Sequence, residues 1–263
     1  MIDIHAHILP EVDDGASTWN ESLKMIEMGL KDGIKGAVCT SHVLDRLDDE
    51  IEQLFIQKFE RLKKLVQDRG LSFPLWLGSE IHFYARYDTN SRVASFNGNG
   101  KYMLLELPMA EISQDFEEKI FELSLNGITA ILAHPERNAV IIRKPQEAFE
   151  MIQRGVLLQL NAGSITGQFG RKIKRVALEM LDHNMVHFIA SDCHNAGNRP
   201  MVLSGAYRLI SSRYDKRTAE KLFHINPYKV IHGQEISPPM PVPFDDRRGR
   251  KGIFSLFGIR SKR

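Results

Sequence analysis

MIDIHAH (residues 1–7) begins with a short apolar run that leads into two histidines two positions apart. Residues 2–5 are predicted to form a strand, and in an extended segment the side chains at positions i and i+2 point the same way. His5 and His7 can therefore reach a common point just beyond this strand. Whether other strands bring polar side chains to the same point decides the fold.

Six further strands are predicted along the chain, and most of them are separated by helices. The strands are residues 36–40, 74–78, 102–107, 128–133, 156–160 and 186–190. The helices are residues 17–33 (with Ser17 as the cap), 49–69, 113–126, 145–154, 170–184, 201–212 and 216–223. Strands joined by helical crossovers predict a parallel sheet in an α/β protein. Residues 84–100 are polar and rich in glycine and asparagine, which predicts a loop or short helix over the site.

Histidine or acidic residues stand at or just after the carboxyl ends of six of these seven strands. They are His5, His7, His42, Glu80, Glu106, His134, Asp192 and His194. An open sheet would hold the groups on its outer strands far apart, whereas a barrel gathers them at one mouth. The sequence therefore predicts a distorted, seven-stranded (β/α) barrel related to the TIM barrel.

This set of side chains indicates a metal site. Imidazole and carboxylate ligands together suit divalent zinc, manganese or iron. Five histidines and several carboxylates are too many for one four-coordinate ion, so two or three ions are expected, with Glu80 or Glu106 as a bridge. A His-x-His pair alone is more often structural, and it is the conjunction of residues that favours a metal. His82, His183, His187, His224 and His232 are predicted to be structural or solvated.

Two arginines and one cysteine lie close to these residues in the sequence. Arg137 and Arg199 follow His134 and His194 by a few positions, and a guanidinium can bind phosphate oxygens in a fork; surface salt bridges are the alternative. Cys193 and Arg199 also match the Cys-x5-Arg spacing of cysteine-dependent tyrosine phosphatases. Because Cys193 sits between two candidate ligands, its side chain is expected to point away from the site, so this match is interpreted as coincidental.

The composition is that of an ordinary globular domain. The chain has 263 residues, a formal net charge of +2 and 43% hydrophobic residues, which fits one domain of barrel size. The two cysteines form no disulfide framework, and neither a signal peptide nor an apolar run of about 20 residues is found. We therefore expect a cytoplasmic protein without a transmembrane helix.

The carboxyl-terminal part of the chain differs from the rest. Residues 1–236 are predicted to form the barrel and residues 237–263 a proline-rich, basic, disordered tail. This tail carries seven basic and two acidic residues, which leaves the barrel mildly acidic. No nucleic-acid partner is expected. The tail either contacts anionic lipid at the inner face of the membrane, docks on a partner, or is simply solvated.

Several segments together resemble the polymerase and histidinol phosphatase (PHP) superfamily. They are MIDIHAHILPEVDDGA (1–16), TSH (40–42), GSEI (78–81), YMLLELP (102–108), AHPERN (133–138) and ASDCHN (190–195). Within that superfamily the chain is most similar to the bacterial manganese-dependent protein-tyrosine phosphatases of capsule and exopolysaccharide loci, the CpsB/YwqE group. The resemblance extends to about residue 235.

This resemblance implies a trinuclear metal site, with manganese favoured over iron or zinc. It assigns His5, His7, Glu80 and Asp192 to one ion, Glu80, Glu106 and His134 to a second, and Asp14, His42 and His194 to the third. Asp14 is chosen over Asp13 only through the resemblance, which also assigns Arg137 and Arg199 to the phosphate.

The activity implied is hydrolysis of phosphotyrosine by a metal-activated hydroxide, and the implied partner is a bacterial tyrosine kinase that controls exopolysaccharide synthesis. A small-molecule phosphatase, such as a histidinol-phosphate phosphatase, and a noncatalytic metal-binding protein remain as alternatives. The oligomeric state is left open.

Overall fold

Nine strands lie in residues 1–244, the part of the chain that the computed structural model describes. They are β1 (Asp3–Ala6), β2 (Ala37–Val43), β3 (Arg46–Leu47), β4 (Leu75–His82), β5 (Arg86–Tyr87), β6 (Tyr102–Glu106), β7 (Thr129–Ala133), β8 (Leu157–Asn161) and β9 (Phe188–Ala190). Seven of them form one sheet in the order β1-β2-β4-β6-β7-β8-β9, and every neighbouring pair is parallel. The predicted seven-stranded parallel architecture is therefore confirmed.

The two edges of this sheet meet. Ala6 pairs in parallel with Cys193, just beyond β9. The amide of His7 donates to the carbonyl of Cys193 at 2.9 Å, and the amide of Asp192 donates to the carbonyl of His5 at 2.9 Å. This seam closes the sheet into a barrel, and a register shift in β1 between Asp3 and Ala6 distorts it there.

Ten α-helices surround the barrel within the described residues. They are α1 (Trp19–Asp32), α2 (Asp49–Asp68), α3 (Phe116–Leu125), α4 (Ala139–Arg143), α5 (Gln146–Gln153), α6 (Ala162–Thr166), α7 (Arg171–Asp182), α8 (Ser204–Arg213), α9 (Lys216–Glu220) and α10 (Asn226–Ile231). A π-helical turn, Lys221–Ile225, joins the last two, and short 3₁₀ turns lie at Phe96–Gly98 and Pro135–Arg137.

The cap of α1 corrects one prediction. The N-cap is Thr18, whose hydroxyl accepts a hydrogen bond from the amide of Glu21 at 3.1 Å, and not Ser17. Ser17 instead donates through its hydroxyl to the side chain of Glu21 at 2.6 Å. Two adjacent hydroxyl residues offer equivalent caps in the sequence, so only the backbone geometry decides between them. Gly33 caps the carboxyl end of this helix, and its φ of 90° suits glycine.

The strand predicted at residues 74–78 is longer in the structure. β4 continues to His82, so Glu80 lies within the strand and not after it. The second half of β4 contains polar residues because it lies at the polar end of the barrel, and this polarity made the strand difficult to predict. The small parallel pair β3/β5 and the helices α4, α6 and α10 were not predicted, and the helix predicted from residue 201 begins at Ser204.

The barrel interior changes from apolar to polar along the strands. A buried cluster at the amino-terminal side includes Ile4, Val38, Leu104, Ile131, Leu157 and Phe188. Alternation along β6 then brings Glu106 to the same face as Leu104, two residues further on. The carboxyl-terminal layer is therefore polar, whereas a second and larger apolar cluster packs the helices against the outside of the sheet. We call this polar end the mouth of the barrel.

The first part of the predicted tail, residues 237–244, contacts the barrel. The amide of Val242 donates to the carbonyl of His183 at 2.9 Å, and His183 Nδ1 lies 2.9 Å from the carbonyl of Val242. The ring of Phe244 stacks on His183 with centroids 4.3 Å apart. The disorder and lipid contact predicted for residues 245–263 fall outside the described residues. None of the helices in residues 1–244 combines the length and hydropathy needed to cross a membrane.

Candidate metal centre

The nine side chains predicted as metal ligands all come together at the mouth. Each contributes an atom to at least one of four overlapping groups, and the atoms of each group lie within 4.8 Å of one another. The groups are His7, Asp14, His42 and His194; His5, His134 and Asp192; His5, His7 and Glu80; and His42, Glu80 and Glu106.

Glu80 lies at the centre of this cluster and is fully buried. Its Oε2 atom is 3.1 Å from His5 Nε2, 3.2 Å from His7 Nε2 and 3.1 Å from His42 Nδ1. Its Oε1 atom is 3.1 Å from His134 Nε2. One carboxylate therefore touches four imidazoles delivered by three other strands, which is the position that a bridging ligand requires.

The donor set fits a divalent cation. Atoms bound at about 2.1 Å to one ion stand roughly 3.0 to 3.4 Å apart, which is the spacing around Glu80. Glu80 Oε2 and His42 Nδ1 are also buried without a hydrogen-bond partner, a costly arrangement that coordination would relieve.

The pKa values of three carboxyl groups of the mouth, those of Glu80, Glu106 and Asp192, are shifted from their usual ranges. Burial raises the pKa of Glu106 to about 7, and the negative charge of Glu80 adds to the effect. Burial also opposes ionisation of Glu80 and Asp192, but the surrounding imidazoles, His5 foremost, hold the pKa of both carboxyls well below the usual range. Glu80 and Asp192 are therefore ionised and can bind cations together with the neighbouring imidazoles.

Asp13 and Asp14 occupy different places, although the sequence alone does not separate them. Asp14 is exposed, and its Oδ1 atom lies 3.3 Å from His194 Nε2 and 3.6 Å from His42 Nε2. Asp13 lies behind His7 and accepts from its Nδ1 at 2.8 Å, which leaves Nε2 of that ring facing the cluster. The chain after these two aspartates requires Gly15, because a Cβ there would collide with the backbone oxygen of His7.

Two of the candidate ligands have left-handed backbone conformations. The φ angles of His134 and Asp192 are 34° and 53°, values that cost energy in residues other than glycine. Ala133 faces the barrel interior, so strand alternation alone would turn the side chain of His134 outward. The left-handed backbone of His134 instead directs its ring into the mouth. Such strain is concentrated at functional sites in proteins.

Gln159 and Asn161, both on β8, are site residues that were not predicted. Gln159 Oε1 lies 2.7 Å from His5 Nδ1, and Asn161 Nδ2 donates to Asp192 Oδ2 at 2.6 Å. Both are fully buried inside the barrel. The signal that could have found them is the two-residue alternation that starts from the inward-facing Leu157.

The two candidate phosphate-binding arginines border the cluster through one shared oxygen. Asp192 Oδ2 accepts from Arg137 Nη1 at 3.0 Å and lies 2.6 Å from Arg199 Nη2. The Arg137 guanidinium also lies over the ring of Phe169, 4.8 Å from its centroid. Both arginines keep part of their surface exposed, so each can donate further hydrogen bonds to an anion bound at the mouth.

Cys193 is unsuited to nucleophilic attack. It is fully buried, and burial raises the pKa of its thiol well above the usual range. Its backbone belongs to the barrel seam, where it pairs with Ala6. The Cys-x5-Arg spacing is therefore coincidental, because Cys193 lies in the barrel seam and does not supply a thiolate nucleophile.

His187, predicted as structural, lies at the other end of the barrel. Its buried Nδ1 accepts a hydrogen bond from the amide of Leu158 at 2.9 Å.

Comparison with known proteins gives a consistent result along the whole barrel. The family model described as capsular polysaccharide synthesis, CpsB/CapC, matches residues 1–232. The putative tyrosine-protein phosphatase CapC of Staphylococcus aureus is 34% identical over 246 residues, covering 92% of this chain and 95% of that protein. The tyrosine-protein phosphatase YwqE of Bacillus subtilis is 28% identical over 262 residues, covering 98% of this chain and all of that protein.

A solved structure matches as well. Crystal structures of YwqE from Bacillus subtilis and CpsB from Streptococcus pneumoniae, described as unique metal-dependent tyrosine phosphatases, include a chain that superposes with a TM-score of 0.84. That chain is 27% identical, and the match covers 92% of this chain and 99% of that one.

Proposed function

Because this chain belongs to the CpsB/CapC family of capsular polysaccharide synthesis, we propose that it is a metal-dependent protein-tyrosine phosphatase, a phosphoric monoester hydrolase. The observation that carries the proposal is the buried cluster around Glu80, with two guanidinium groups at its border. Cations and arginines on neighbouring sides of one mouth suit an ester that carries two negative charges.

The proposed centre holds three ions, with manganese as the first choice and iron or zinc as alternatives. Its ligands would be His5, His7, Glu80 and Asp192 for the first ion, Glu80, Glu106 and His134 for the second, and Asp14, His42 and His194 for the third. The convergence of the last three residues in one group supports the third position, and the two-sided contacts of Glu80 support its role as a bridge.

Bound divalent ions supply an activated water and neutralise charge on phosphoryl oxygens. Arg137 and Arg199 would donate to the remaining phosphoryl oxygens, and their shared contact with Asp192 Oδ2 orients both before the substrate arrives. A tyrosinate is a stable leaving group because the pKa of a phenol is about 10, so a strong general acid is not needed. The chain therefore has to bind, orient and neutralise, which its mouth is built to do.

The substrate that we propose is a phosphotyrosine protein, and a bacterial tyrosine kinase that controls exopolysaccharide synthesis is the proposed partner. The names of the relatives and of the family support this assignment. The catalytic unit would be residues 1–236, located in the cytoplasm.

The test is hydrolysis of a phosphotyrosine peptide, with histidinol phosphate as the competing substrate, after chelation and then with manganese restored. We expect peptide hydrolysis that requires the metal and is unchanged in Cys193→Ser, because that thiol is buried and protonated. Chelator-resistant activity that disappears in Cys193→Ser would overturn the metal mechanism. A preference for histidinol phosphate would overturn the substrate and leave the metal chemistry in place.

A peripheral membrane contact through the tail is a separate part of the proposal. Seven basic residues follow Phe244, and each is worth about 1 kcal/mol near an anionic lipid surface. We expect full-length protein to co-sediment with vesicles containing phosphatidylserine, and protein lacking residues 244–263 to stay in the supernatant. Equal sedimentation of the two forms would instead support a solvated tail.

A further inference from the structure

We propose that Gln159 and Asn161 are positioning residues whose hydrogen bonds transmit the orientation of Asp192 to the imidazole of His5 and so fix its tautomer. The proposal rests on the metal centre proposed above, in which His5 and Asp192 bind the same ion. Both amides belong to β8, which contributes no proposed ligand of its own.

The contacts form one continuous chain inside the barrel. Asn161 Nδ2 donates to Asp192 Oδ2 at 2.6 Å, and Gln159 Nε2 donates to Asn161 Oδ1 at 2.9 Å. Gln159 Oε1 then lies 2.7 Å from His5 Nδ1. All four side chains are buried, so solvent does not compete for these bonds.

The donor and acceptor of each of these hydrogen bonds follow from the chemistry of Asp192, at one end of the series. An ionised carboxylate can only accept, so Asn161 must present its NH₂ group to Asp192 and its oxygen to Gln159. Gln159 must therefore present its own NH₂ group to Asn161 and its oxygen to His5. An amide oxygen can only accept, so His5 must carry a proton on Nδ1. Its Nε2 atom is then the ring nitrogen that faces Glu80 and His7, available to an ion bound there.

Asn161 is itself held in place from the other side. Its backbone amide donates to Glu136 Oε1 at 2.9 Å, and Glu136 is fully buried within the 3₁₀ turn that follows His134. The backbone from which the Asn161 side chain projects is therefore fixed on this side. Partners of this kind, which orient a ligand from behind, typically change metal affinity 10- to 100-fold when they are removed.

The experiment compares Gln159→Leu and Gln159→Glu with wild type, and Gln153→Leu on the exposed end of α5 is the matched control. The tautomer of His5 is measured from ¹⁵N imidazole shifts in metal-free protein and in protein loaded with diamagnetic zinc. Manganese affinity is measured by competition with a chelator.

In Gln159→Leu we expect His5 to lose its uniform Nδ1-protonated state and manganese to bind 10- to 100-fold more weakly. In Gln159→Glu the acceptor for His5 remains, so its tautomer should be that of wild type. His134 makes no contact with this series of hydrogen bonds, so its tautomer should be the same in all variants. The control variant should have the wild-type His5 tautomer and manganese affinity.

An unchanged His5 tautomer in Gln159→Leu would overturn the proposal, and so would loss of the Nδ1-protonated form in Gln159→Glu. If the leucine variant fails to fold, loss of the Nδ1-protonated form in Gln159→Glu would still overturn the proposal. Neither readout uses hydrolysis. A wild-type protein that binds manganese but does not cleave phosphotyrosine would therefore overturn the proposed function and leave this inference standing.

Discussion

Glu80→Gln is expected to lower kcat/KM for a phosphotyrosine peptide by about a thousandfold, because metal stabilisation of the transition state is worth several kcal/mol and each 1.4 kcal/mol is tenfold in rate. Glu80 touches four imidazoles with its two oxygens, and an amide keeps only one oxygen and no charge. The variant is nearly isosteric, so the barrel should remain folded. Steady-state kinetics with saturating manganese and metal content by mass spectrometry are the measurements.

The matched control for this variant is Glu118→Gln, which alters an exposed carboxylate on α3. It should retain both the activity and the metal content of wild type. If Glu80→Gln kept its full metal content and its activity, the central position given to Glu80 would be wrong. Loss of activity with full metal content would mean that Glu80 serves the chemistry in some way other than by holding ions.

Arg199→Ala is expected to lower kcat by about 100- to 1,000-fold, the usual cost of removing one donor to developing negative charge. Asp192 Oδ2 would still accept from Arg137 and Asn161, so the metal content should be close to that of wild type. Arg199→Lys should recover only part of the activity, because an ammonium lacks the planar fork. Activity and metal content are measured on the same preparations.

Arg143→Ala, at the exposed end of α4, serves as the control and should behave as wild type. Loss of metal from Arg199→Ala in proportion to its loss of activity would contradict a phosphate-binding role. It would mean that the arginine acts by holding Asp192 in place.

The barrel and most of the candidate centre could be predicted because two simple signals coincide. Short apolar runs define the strands, and histidine or acidic residues at their carboxyl ends define the mouth, as at His42 and His134. The sequence could not distinguish neighbouring residues with similar side chains. Ser17 and Thr18, like Asp13 and Asp14, differ in role only through the backbone geometry that positions them. Buried amides were missed as well, because Gln159 looks like a surface residue until the alternation of β8 is followed inward.

The barrel seam also bears on how the molecule assembles. It joins residues 5–7 to residues 192 and 193, so it closes a loop of nearly the whole barrel, and the entropic cost of closing a loop grows with its length. His5, His7 and Asp192 belong to that same seam. The proposed metal site is therefore complete only after the two ends of the barrel have paired. A cation bound there would stabilise the closed barrel against separation of β1 from the segment that follows β9.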